Sequence, residues 1–257
     1  MSVERARLQR NFSRAAARYD ALATYQHSLM RRGLDWALAI FPERAQLLDV
    51  GCGTGLFAEE ASAQRPGWRI ACLDLSPGMC DAARKRTGAV TQADAVSLPF
   101  ASASMDGVFS SLCLQWVEDR PAALREIARV LKPGASAVLV TLTKETLREL
   151  KALAGSGELG LLPMEPVATY RAQAQAAGLD IERERSDIET LYYTSAFGLL
   201  SAMRDIGAGN AMRERANHFA PRYRLSRLIA EYERRHATPQ GVAASWQPLF
   251  LALKKPA

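Results

Sequence analysis

From Leu47 onward, short apolar runs alternate with stretches whose apolar positions recur every three or four residues. That is the pattern of strands buried on both faces and joined by crossover helices. It predicts strands at Gln46–Val50, Arg69–Asp74, Val90–Ala93, Met105–Ser110 and Ala135–Leu142. Between them it predicts helices at Gly55–Gln64, Gly78–Arg86 and Pro121–Leu131, the last with a proline suited to a first turn and closing at "KPG". Strand and helix alternate throughout, so the class is α/β.

Beyond Leu142 the pattern predicts a helix at Lys144–Ala154, a break at "GSGELG", a helix at Glu165–Ala177, a strand within Leu179–Tyr193 and a last strand at Trp246–Lys254. The roughly fifty residues between those two strands far exceed an ordinary connection and read as a helical cap inserted at 194–243. Two helices before Leu47, Val3–Ala17 and Ala21–Phe41, make residues 1–42 a lid that closes the site from the other side.

A chain of 257 residues, 48% of them hydrophobic, fills the core of one large domain without staples. Its N-terminus scatters arginines and has no apolar h-region, and no run approaches eighteen apolar residues, so neither secretion nor membrane insertion is expected. Cys52, Cys72, Cys80 and Cys113 form no C-x-x-C pair, which gives neither a disulfide framework nor a metal site and suits the cytoplasm. The net charge of +6 is uneven: Arg204 to Arg235 holds eight arginines against four acids. Such a stretch fits an acidic partner or a solvated helix face. A nucleic acid is not favoured, because no basic groove interleaved with aromatic residues accompanies it.

The chemistry concentrates at "LLDVGCGTGLF", Leu47–Phe57. A strand ending in Asp49-Val50 and turning through Gly51, Gly53 and Gly55 brings bare backbone and a helix N-terminus to a polar ligand. The dinucleotide fingerprint G-x-G-x-x-G is not met, since the third glycine comes one residue early and Leu56 takes its place. Asp74, nineteen positions past Gly55, ends the second strand where it can accept from both hydroxyls of a ribose.

These residues resemble the class I S-adenosylmethionine (SAM)-dependent methyltransferases, with "LDVGCGTG", the acid of "CLDLS", "QADA" after the third strand and "LKPG" before the fifth in order. The resemblance implies a Rossmann-like fold, a mostly parallel seven-stranded sheet with the helical lid and cap, one domain over 1–257, and SAM as cofactor with S-adenosylhomocysteine as product. It implies that Gly51, Cys52, Gly53 and Gly55 line the methionine part, with Asp49 in the same cofactor site; the plainer alternatives are a partner that orders the loop for Asp49 and a turn residue for Asp94. It further implies Asp74 and Leu75 at the ribose, Asp94 and Ala95 at the adenine, and Ser111 and Gln26 completing the cofactor site.

The chain also resembles, more narrowly, the malonyl-acyl carrier protein O-methyltransferases of biotin synthesis. The pattern F-x(6)-Y-x(6)-Q falls on Phe12, Tyr19 and Gln26, "LCLQW" on Leu112–Trp116, and "TL…TLREL" on Thr141–Leu150. "MRDIGAGN" falls on Met203–Asn210, and "YE…R…G" on Tyr232, Glu233, Arg235 and Gly241. Thr143-Lys144 stands where the family often has Gly-Pro, and Arg204 where it usually has lysine. The resemblance implies a malonyl group on acyl carrier protein as acceptor, a monomer, and Tyr19, Gln115, Trp116 and Arg204 as the residues around the reaction. Trp116 fits either a chamber wall or the core, and Tyr19 and Gln26 fit either site closure or packing. A carboxylic acid is already ionised at neutral pH, so its methylation requires no base. That agrees with His27, His218 and His236, all outside the sheet-edge motifs and read as surface or cap residues. A small free acid as acceptor, and a SAM-binding subunit without catalysis, are the competing readings.

Overall fold

A computed structural model describes residues 3–153, 162–207 and 222–257. The chain opens with α1 (Val3–Leu22) and α2 (Thr24–Ile40), then alternates β1 (Ala45–Val50), α3 (Leu56–Gln64), β2 (Trp68–Asp74), α4 (Pro77–Ala83), β3 (Val90–Gln92), β4 (Met105–Ser111), α5 (Arg120–Val130) and β5 (Leu131–Leu142). There follow α6 (Arg148–Leu153), α7 (Val167–Ala176), β6 (Asp180–Ser186), β7 (Glu189–Tyr193) and α8 (Ala196–Asp205). The last described elements are α9 (Arg222–His236), β8 (Ala237–Thr238), β9 (Gly241–Trp246) and β10 (Pro248–Lys254). The "GSGELG" break and Ala208–Asn210 of the "MRDIGAGN" motif lie outside the described residues, as does His218.

Seven strands form one sheet in the order β3-β2-β1-β4-β5-β10-β6, with β10 antiparallel to both its neighbours. Its central strands are apolar on both faces because helices cover both. Leu29 and Leu34 of α2 pack on one face, where Phe57 of α3 stacks on Phe109 of β4 with ring centroids 3.7 Å apart. Leu124 and Ile127 of α5 and Tyr170 of α7 pack on the other. The Asp119 side chain caps α5 by accepting from the Ala122 N–H at 2.9 Å, and Pro121 sits in the first turn. The strand order reverses between β1 and β4, and at that switch point an open α/β sheet leaves a crevice at the strands' carboxyl ends.

The single strand expected within Leu179–Tyr193 is two, β6 and β7, and the last strand is preceded by β9. β6 pairs with β10 in the large sheet, whereas β7 pairs with β9 in a second sheet of order β7-β9-β8. The cap therefore carries strand as well as helix. The register runs on across the bend: Ser186 pairs with Leu249, and Glu189 with Trp246. One antiparallel ribbon thus leaves the main sheet, bends near Asp187 and Gln247, and becomes the floor of the cap. Gln247 is held at that bend by Thr143, whose hydroxyl donates to its backbone and side-chain oxygens, and by the Glu145 N–H at 3.3 Å. Among the described residues no helix is long and apolar enough to cross a membrane.

Candidate active site

Gly51 and Gly53 both adopt positive φ, +75° and +54°, which side-chain-bearing residues rarely do. The N–H groups of Gly51 and Cys52 donate to the Leu73 carbonyl at 2.8 and 2.9 Å, fastening the loop to β2. A Cβ on Gly51 would collide with Cys113, while one on Gly53 would meet nothing within 4 Å because that position faces open space. Gly55, at the entry to α3, packs against Ala83 and, contrary to expectation, lines neither of the two cavities that flank the loop.

Asp74 accepts from the Gly53 N–H at 3.0 Å and from the Ser76 N–H at 2.8 Å. Burial pushes its carboxyl up to about 6 even though these backbone hydrogen bonds oppose the rise. Asp49, beneath the loop, is raised well above the usual carboxylate range by burial and then by the charge of Asp74. Its Oδ2 has no hydrogen-bond partner. The loop thus offers bare backbone and two desolvated carboxylates to a polar, positively charged ligand.

A cavity lies over Asp74, between the strand ends and lid helix α1, and Leu75, Asp94, Ala95, Ser111 and Trp116 line it as well. Asp94 accepts from the Val96 N–H at 3.0 Å, the arrangement of a turn residue, and forms an ion pair with Arg5 of α1. Gln9 of α1 donates to the Leu75 carbonyl at 2.9 Å, and the hydroxyls of Ser13 and Ser76 lie 2.8 Å apart. At the far end of α1, Asp20 accepts from the Thr54 hydroxyl at 2.7 Å and from Arg86 at 2.8 Å. The lid is sewn to both the glycine loop and the turn after Asp74. A smaller adjoining cavity on the loop's other side is walled by Tyr19, Gln26, His27, Asp49 and Cys52.

A third cavity, here called the chamber, adjoins the first through Phe12, Tyr19, Leu112 and Trp116. Phe12 meets Trp116 edge-on at 5.4 Å. Gln115 is buried there with its side-chain oxygen accepting from the Thr141 hydroxyl at 2.9 Å. Tyr19 and Leu112 border all three cavities. Burial, then the charges of Asp74 and Asp20, drive the Tyr19 phenol far above its ordinary range, so it stays an O–H donor. Lys151 of α6 is the chamber's cation: half-buried, its ammonium donates to the Lys144 carbonyl at 2.8 Å, and burial lowers its pKa. Among the described residues no carboxylate and no histidine lines the chamber.

Two further expectations differ from the structure. Arg204 does not reach the chamber: its guanidinium lies on the outer face of α8 with Asp205 and Ser201, and its side chain is 59% exposed. The helical period explains this, since Met203 and Ile206 occupy the inward face and position 204 is turned about 100° from 203. His27 is not a surface residue: it walls the cavity beside the loop, with its ring 6.1 Å from that of Tyr19. Burial lowers its pKa despite the nearby carboxylate of Asp20.

The late "YE…R…G" motif is architectural. Tyr232 is fully buried and donates to the Ala243 carbonyl at 2.9 Å, while Glu233 accepts from the Ala196 N–H at the start of α8. Leu112 and Lys151 went unnoticed as site residues in the sequence. Leu112 adopts φ +57°, a conformation no leucine advertises, and Lys151 is one of six lysines with no motif around it to single it out.

A family model described as a methyltransferase domain matches residues 48–139. The YcgJ protein of Bacillus subtilis, at 18% identity and a TM-score of 0.65, shares the fold over 90% of this chain and 99% of its own. Malonyl-acyl carrier protein O-methyltransferase of Hahella chejuensis is 32% identical over 95% of this chain and 88% of its own. The biotin biosynthesis bifunctional protein BioHC of Cellvibrio japonicus is 35% identical over 99% of this chain, which spans about half (51%) of that longer protein. Fold and loop together define a class I SAM-dependent methyltransferase. Within that class the chain belongs to the malonyl-acyl carrier protein O-methyltransferase family.

Proposed function

We propose that this enzyme transfers the methyl group of SAM to the free carboxylate of a malonyl thioester carried on acyl carrier protein. The observation that carries this reading is the chamber wall: among the described residues it brings one cation, Lys151, and no carboxylate or histidine to take a proton from an acceptor. An amine or phenol acceptor would require such a group, whereas a carboxylate arrives already ionised.

SAM supplies an activated methyl on a sulfonium centre. Asp74 would hold the ribose hydroxyls, Gly51 and Gly53 leave room for the methionine part, and the orphaned oxygen of Asp49 is suited to its positive charge. Asp94 and Ala95 border the space for the adenine. Tyr19 and Leu112, where the cavities meet, would set the line of approach. In the transfer a C–O bond forms as the C–S bond breaks, the electron pair stays on sulfur, and no proton is released. Carboxylate and sulfonium neutralise each other, so a chamber walled by Trp116, Met164, Met203 and Trp246 favours the transition state over the separated ions. Lys151, which lines the chamber where Arg204 does not, would hold the acceptor's second carboxylate oxygen.

Incubation with methyl-labelled SAM and, in parallel, malonyl-carrier protein, malonyl-coenzyme A and free malonate tests the reading. A methyl ester formed fastest on the carrier is expected. Transfer to an amine or phenol, with none to malonyl thioesters, would overturn it.

A further inference from the structure

We propose that a groove between the start of α2, strand β7 and helix α8 is the channel through which the carrier's phosphopantetheine arm enters. This rests on the acceptor reading above. The groove's outer part is formed by Leu22, Tyr25, Leu191 and Tyr192, and it shares Gln26, Met203, Ile206 and Trp246 with the chamber. The two spaces therefore adjoin along these four residues.

The chamber's connection on the other side, past Phe12 and Trp116, opens into the cavity over Asp74. A nucleoside bound there would close that route, and an acceptor tethered to a protein would have to reach the chamber by another. The groove supplies it. Its walls mix hydroxyls, from Thr24, Ser28 and the tyrosines, with the apolar faces of Leu191 and Trp246. An arm of alkyl segments interrupted by two amides meets both kinds of partner. Leu22 and Tyr192 stand 43% and 48% exposed at the mouth, large apolar side chains that an incoming arm would cover.

Ala202 lines the groove but not the chamber, and it is exposed on α8, so Ala202→Trp should narrow the channel without disturbing the core. The expected result is a loss of about tenfold or more in kcat/KM with both malonyl-carrier protein and malonyl-coenzyme A, which share the arm, and an unchanged SAM Kd. Turnover of free malonate, which has no arm, should not change. Tyr192→Ala, at the exposed mouth, should raise KM for both thioesters and leave free malonate alone. Undiminished thioester turnover by Ala202→Trp would overturn the channel while leaving the acceptor reading intact, as would an equal loss with free malonate. A wild-type enzyme that methylates neither thioester would remove the acceptor reading itself, and the channel with it.

Discussion

The carboxylate of Asp74 accepts a hydrogen bond from the backbone N–H of Gly53 at 3.0 Å, so the ribose acid and the glycine loop form one unit rather than two adjacent features. Whatever moves one moves the other. Burial holds the Asp74 carboxyl up at about 6, in the range where it changes charge between mildly acidic and neutral solution.

SAM affinity should therefore rise with pH. Below about 6 Asp74 is protonated and a poorer acceptor for the ribose, so Kd measured by calorimetry should weaken by up to about tenfold per pH unit on the acid side. Asp74→Asn should bind weakly and lose this component of the pH dependence. For the ligand-free fold the sign is opposite. A raised carboxyl pKa means the folded state holds the proton more tightly, so this group's stabilising contribution is full below about pH 4 and disappears as pH passes 6.

Gly51→Ala and Gly53→Ala should separate folding from binding. Both force an L-residue into positive φ, at a cost of roughly 1–2 kcal/mol. Only the first also drives a methyl into Cys113, which should add at least about 1 kcal/mol, so its Tm should fall further. Gly53→Ala places its methyl in open space over the loop and should weaken SAM more than it weakens the fold.

Lys151→Met should raise the KM of the malonyl acceptor by about tenfold while leaving SAM Kd within twofold, and Arg204→Ala should change neither by more than about twofold. Steady-state kinetics on the two variants decides which cation meets the acceptor. The reverse ranking would return Arg204 to the site.

Asp20 joins the lid to the loop through Thr54 and Arg86. Asp20→Asn weakens a charge-assisted pair that is partly exposed, a loss of about 1 kcal/mol. Stopped-flow release of SAM should accelerate about fivefold in this variant, with little change in Tm.

The strands that build the ligand crevice were legible because their apolar runs end in glycine, aspartate or serine, and β1, β2 and β4 stand within a residue or so of where the pattern puts them. The loop was legible for the same reason: Gly51 and Gly53 are needed where φ is positive. What the pattern hid lies where one strand becomes two. Between Ser186 and Glu189 there is no glycine or proline to mark the bend, only Asp187 and Ile188, so β6 and β7 read as one. The chamber was hidden for a related reason. Its wall comes from α1, α2, the segment after β4, the end of β5, α6 and the turn before it, the stretch before α7, α8 and the end of β9, and no local spacing reveals that Lys151 and Trp246 line one cavity with Tyr19.

The bent ribbon sets how this chain can vary in length. Because pairing continues in one register from Ser186–Leu249 to Glu189–Trp246, a residue added within β6 or β7 would turn Leu191 and Tyr193 to the opposite side and strip the wall they help to make. Residues added between Tyr193 and Gly241 leave that alternation alone. Diversification of the lobe over the chamber is thereby confined to the stretch between the two strands, while the strands themselves keep their count.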